Sequence, residues 1–93
     1  MTNMIKDPDA TLDYIFDWND SDDPWLATGE TISSHTITAQ SGITVDSSSE
    51  LSGVVTVWLS GGTANTWYTV ACEIVTNAGR IDERTMNIHV YNR

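Results

Sequence analysis

The chain has 93 residues, of which thirteen are acidic and four basic, for a formal net charge of −9. A domain of this length folds alone on a thin margin of stability, and its field repels phosphate backbones and anionic membrane surfaces, which argues against nucleic acid and membranes as partners. The single cysteine, Cys72, excludes an internal disulfide and a thiolate zinc cluster, and it lies in an apolar alternating run where it reads as a small core residue.

The first residues, MTNMIKDPDA, are polar and carry neither an apolar stretch nor a cleavage-like site. No segment approaches the roughly eighteen apolar residues of a membrane span, so a soluble chain made in the cytoplasm is expected. Residues 1–10 read as an N-terminal arm that orders on a neighbouring subunit, with a frayed terminus as the alternative. Residues 11–93 read as one β domain.

Period-two alternation dominates from residue 11. In TLDYIFDW, Leu12, Tyr14, Phe16 and Trp18 share one face, which predicts a first strand with one buried side. The stretch SDDPWLATGE carries Pro24 and Gly29 and reads as a loop. TISSHTITA predicts a second strand, its alternation broken at Ser33 and Ser34, and Ile43–Val45 a brief third strand ahead of a serine-rich loop. VVTVWLS is a further strand with both faces rather apolar. WYTVACEIVT is the longest, and RTMNIHVY closes the chain with Met86, Ile88 and Val90 inward. The last two should pair as a hairpin. Five to seven short strands without a helical period predict an all-β, antiparallel immunoglobulin-like or fibronectin-like sandwich of about seven strands. In WLSGGTANTWYTV, Tyr68 stands where a tyrosine corner would, although the spacing from Leu59 is longer than usual and Trp67 is the alternative inward residue.

The stretch DWNDSDDPW holds four carboxylates and two tryptophans within nine residues. Asp17, Asn19, Ser21 and Asp23 fit the first positions of a calcium loop, but the register fails at Asp22, where glycine is required, and at Thr28, where a bidentate glutamate is required. A looser oxygen site from Asp20, Asp22, Asp23 and Glu30 competes with an acidic loop whose side chains bond nearby backbone, and the acidic loop is preferred. No metal or cofactor is therefore expected. His35 and His89 sit on different strands with no third ligand nearby. No GxSxG, Walker, GxGxxG or HExxH motif is present, and nothing calls for catalysis. Four tryptophans are many for this length. Trp18 is in phase with the core, whereas Trp25, Trp58 and Trp67, with the acidic tip Asp20, Asp22 and Asp23, are the candidate interface residues.

KDPDATLDYIFDW at positions 6–18, followed by GETI, GITV and TVWLSGGTANTWYTVACEIVTNAGRIDERTMNIHV, resembles a group of small tailed-bacteriophage virion proteins with an immunoglobulin-like sandwich. The resemblance implies a non-enzymatic structural subunit, assembled into a virion in the host cytoplasm. The expected role is an adaptor joining tail and fibre through contacts with other virion proteins and with copies of itself. A capsid decoration subunit is one alternative. A carbohydrate-binding module is the other, with Trp25, Trp58 or Trp67 stacking on sugar rings.

Overall fold

The computed structural model describes residues 2–22 and 24–92. They form seven strands: β1 (Thr2–Lys6), β2 (Leu12–Asp17), β3 (Ile32–Ala39), β4 (Ile43–Leu51), β5 (Val54–Gly61), β6 (Thr66–Thr76) and β7 (Ile81–Val90). Two sheets result, one in the order β1-β7-β6-β3 and one in the order β2-β5-β4. The all-β expectation holds, and β6 and β7 pair antiparallel from Thr66↔Val90 to Val75↔Ile81.

Alternation in the sequence becomes alternation of burial. Along β6, Tyr68, Val70, Cys72 and Ile74 turn inward, and along β7 Met86, Ile88 and Val90 do the same. They meet Tyr14 and Phe16 of β2 and Val55, Val57 and Leu59 of β5 in one core. Fully burying each such side chain contributes on the order of 1.5–3 kcal/mol, so the seam between the sheets carries the fold. Burial pushes the Cys72 thiol up to about 12, aided by the charge of Glu83, which leaves it protonated and unreactive at neutral pH.

Three expectations are corrected. Residues 2–6 of the segment expected as an arm form a strand on their own chain: β1 lies parallel to β7, Thr2 against Met86 through Lys6 against Val90. That pairing also makes the sheets not wholly antiparallel. Five polar-flanked residues carry too little period to read as a strand, and their partner lies at the far end of the sequence. Two further ties hold β1: the Tyr14 hydroxyl donates to the Ile5 carbonyl at 2.8 Å, and the Tyr91 amide donates to Lys6 O at 3.0 Å. Third, β4 runs on through the serines to Leu51 instead of ending at Val45. Serine at an exposed edge position has no apolar side to declare, so pairing with β5 and not pattern makes this stretch a strand.

Lys6 is fully buried. Its ammonium donates to Gly61 O at 2.7 Å and to Asp7 O at 2.9 Å, which ties the end of β1 to the end of β5. Desolvation lowers its pKa from the usual lysine value, against the opposing charges of Asp7, Asp46 and Asp9.

Tyr68, not Trp67, is the inward residue at the start of β6. Its hydroxyl accepts the Thr63 amide at 2.9 Å, and hydrogen bonding from the Thr63 side chain, followed by that amide, holds its pKa below the ordinary tyrosine value. The ring also fills the space over Gly42, where φ is +106° and a Cβ would stand 2.8 Å from Tyr68 Cε1. Glycine is thus required there by conformation and by space.

Candidate functional site

The acidic stretch is anchored at both ends and open in the middle. Trp18 is fully buried, its ring 6.0 Å from that of Phe16. Its amide donates to Gly53 O at 3.0 Å, and its carbonyl accepts the amides of Trp25 at 3.0 Å and Leu26 at 3.2 Å. The chain therefore leaves and re-enters the same point of the sandwich. Gly53 has φ of +86°, and a Cβ there would meet Asn19 Cβ and Leu26 Cδ1 at 2.7 Å, so the β4–β5 turn seats directly against the loop. Between the anchors, Asp17 Oδ1 accepts the Asn19 amide and Asp20 Oδ1 the Asp22 amide, each at 2.8 Å. These are the local side chain to backbone bonds of the acidic-loop reading. Asp20 and Asp22 are exposed, and Asp23 lies outside the described residues. Among the described residues, no three His, Cys, Asp or Glu side chains converge as a metal would require.

Two arginines of the β6–β7 hairpin hold the loop down. Arg80 makes a two-pronged ion pair with Glu30, its Nε donating to Oε2 at 2.9 Å and its terminal nitrogen to Oε1. That same terminal nitrogen donates to Trp25 O at 3.1 Å, while the guanidinium lies 3.9 Å above the Trp25 ring. Arg84 donates to Asp17 O at 2.7 Å and sits 4.8 Å above the Trp18 ring. Asp82 receives the Trp18 indole N–H at 2.8 Å. Glu30 also accepts the Thr76 hydroxyl at 2.6 Å and the Ala27 amide at 2.9 Å. The Arg80 hydrogen bonds, followed by those of Thr76 and Ala27, hold the Glu30 carboxyl down at about 2. Glu30, considered from sequence as a cation ligand, is thus committed to Arg80. A cleft of about 360 Å³ beside it is lined by Ala27, Thr28, Gly29, Glu30, Asn77, Ala78 and Arg80.

The remaining tryptophans face outward. Trp58 on β5 is 42 % exposed, between Asp13 of β2 and Ser47 of β4. Ile15, 55 % exposed, lies diagonally beside it on the same face. Trp67 on β6 is 52 % exposed and opposes His89 of β7, which in turn opposes Ile5 of β1. The Trp67 and His89 rings are parallel within 2° at 4.5 Å, and Tyr91 tilts against His89 at 5.0 Å. Each outer face therefore carries its own small apolar patch. The structure does not gather Trp25, Trp58, Trp67 and the acidic tip into one site. Trp25 is half-buried under Arg80.

The clamp was not legible in the sequence. Arg80 and Arg84 stand two of four among the basic residues, and the scarcity of cations was the one signal that each would be spent on a carboxylate or a ring.

Comparison with known proteins decides the family. The model of the podophage GP4 fiber-tail adaptor protein gp77 family matches residues 6–89. The chain belongs to that family. It is accordingly a structural phage adaptor, and its family is a component of the virion. The match covers β2 to β7 almost entirely and includes the acidic loop and both clamping arginines. No curated protein matches the chain significantly.

Proposed function

We propose that this chain is a non-enzymatic link between tail and fibre, acting through protein–protein contacts with other virion proteins and with copies of itself after assembly in the host cytoplasm. The family match over residues 6–89 carries the reading, and it favours the tail over the capsid shell as the place of attachment. The outward apolar patches around Trp58 and Trp67 support it, since aromatic residues with exposed aliphatic neighbours are the usual anchors of interfaces. The Trp67 ring meets His89 face to face, which fits a protein contact better than a sugar platform with open rings.

We further propose that the sandwich is of immunoglobulin-like type. The order β2-β5-β4 facing β7-β6-β3 supports this: it matches the arrangement of that class once β1 is counted on the second sheet. The Tyr68 hydroxyl bonded to Thr63 backbone also supports it, since the class sets a tyrosine hydroxyl against backbone a few residues upstream.

Phage particles made without this chain test the role. They should carry filled capsids and tail parts but lack fibres, and the purified chain added back should restore attachment. Fibres present on such particles would contradict it.

A further inference from the structure

The two sheets leave four edge strands, β1 and β3 on one and β2 and β4 on the other. Exposed edges are templates for another strand, and proteins blunt them with charge, proline, bulges or brevity. β1 is five residues long and ends in Lys6. β2 carries Asp13 and Asp17, and β4 carries Asp46 and Glu50 with a bulge between Val45 and Ser47. β3, with the sequence ISSHTITA, has no proline and no Asp, Glu, Lys or Arg. Its one irregularity is at the start, between Ile32 and Ser34, so Ser34–Ala39 pairs with β6 without a break. The edge with the best strand geometry is the one left unguarded.

The direction of its backbone is fixed by one bond. The Gln40 amide donates to Thr69 O of β6 at 2.9 Å. Amides alternate in direction along an antiparallel strand, so those of Thr38, Thr36 and Ser34 turn to β6, and those of His35, Ile37 and Ala39 turn to the open edge. Ile37 and Ala39, with Val45 of β4, are half-buried apolar residues packed on the core from this side of the sandwich. A strand laid along β3 would complete that cover with its inward side chains and meet exposed Thr36 and Thr38 with its outward ones.

Charge selects the occupant. Of the four basic residues, Lys6, Arg80 and Arg84 are spent on internal carbonyls, carboxylates and rings. Asp20 and Asp22 stand exposed in the loop that leads into β3. Two copies of a chain of net charge −9 repel as they approach, whereas a cationic segment is drawn to the same edge. Resting on the adaptor reading above, we propose that β3 accepts, by strand addition, an extended segment of a partner virion protein that alternates apolar and β-branched residues and is flanked by lysine or arginine.

The test uses the full chain and a synthetic peptide of about eight alternating valines and threonines, matched to the length of an ordinary strand, made with lysine or with glutamate at both ends. Amide exchange read by NMR should slow at His35, Ile37 and Ala39 with the lysine-ended peptide, and hardly change with the glutamate-ended one. At low ionic strength, Thr36→Lys should weaken binding of the lysine-ended peptide severalfold, because it adds a like charge within the screening length of both peptide ends, while Thr36→Glu should leave it intact. Equal protection by both peptides would overturn the charge selection. Slowed exchange that grows with protein concentration alone, and is lost in both Thr36 variants, would make a second copy the occupant and overturn the proposal. No protection by either peptide, from a chain that still restores fibres to deficient particles, would overturn the edge as the site while leaving the adaptor role standing.

Discussion

The four tryptophans divide into two pairs that the fold treats in opposite ways. Trp18 and Trp25 flank the acidic loop, and each lies beneath a guanidinium, Arg84 over the first and Arg80 over the second. Trp58 and Trp67 stand on the two outer faces, 42 % and 52 % exposed, and among the described residues no cation lies above either ring. The difference shows how a chain with four basic residues distributes them. Its described cations close the structure, and its surface is left to carboxylates and apolar patches. Arg80 and Arg84 brace the loop end, and the flat faces and the β3 edge are left for the contacts proposed above.

Breaking the first pair should cost most. Trp18→Ala removes a fully buried ring, its stacking on Phe16 and the indole donor to Asp82, and should destabilise by about 3–5 kcal/mol in urea unfolding. At the opposite end of the sandwich, Lys6→Met should cost about 1–3 kcal/mol by the same measurement, since the Gly61 and Asp7 carbonyls lose their donor in a part-buried place.

The Glu30–Arg80 pair sharpens the comparison through pH. The Glu30 carboxyl is depressed from 4.5 to about 2 in the folded chain. Its contribution is therefore complete above the unfolded value of 4.5 and is lost as pH falls toward 2. Acid melting of Glu30→Gln should show a shallower fall in that window than the parent chain. A profile unchanged by the substitution would mean that the pair adds nothing to the fold.

Trp58→Ala and Trp67→Ala should move stability less than Trp18→Ala by a wide margin, since about half of each ring already faces solvent. Each should instead impair fibre attachment to particles. Asp20→Asn with Asp22→Asn should shift unfolding least of all, by roughly 0.5 kcal/mol or less, because both side chains are exposed and asparagine keeps the acceptor for the loop turn.

What could be read from the sequence follows how local the physics is. The buried alternation of Tyr14 and Phe16, or of Tyr68 through Ile74, is written at every second residue, and those strands were placed from pattern alone. The bonds within the acidic loop are also local, two residues apart, and the loop reading anticipated them. β1 depends on β7, 84 positions along the chain at the Asn3 to Asn87 bond, and no local pattern announces it. The arginine clamp spans 50 positions from Glu30 to Arg80, and the extension of β4 through its serines rests on pairing with β5. In each of these cases the deciding interaction is made only when the sheets have assembled.

The central claim is that this domain stands between tail and fibre and is gripped through its faces and its β3 edge. An electron-microscopy map of the intact particle, with the domain fitted as a rigid body, tests it most directly. The account predicts density for the sandwich at the junction of tail and fibre, with a strand of a neighbouring protein continuing the sheet beyond β3. Density for the sandwich on the capsid shell, with neither tail nor fibre in contact, would contradict it.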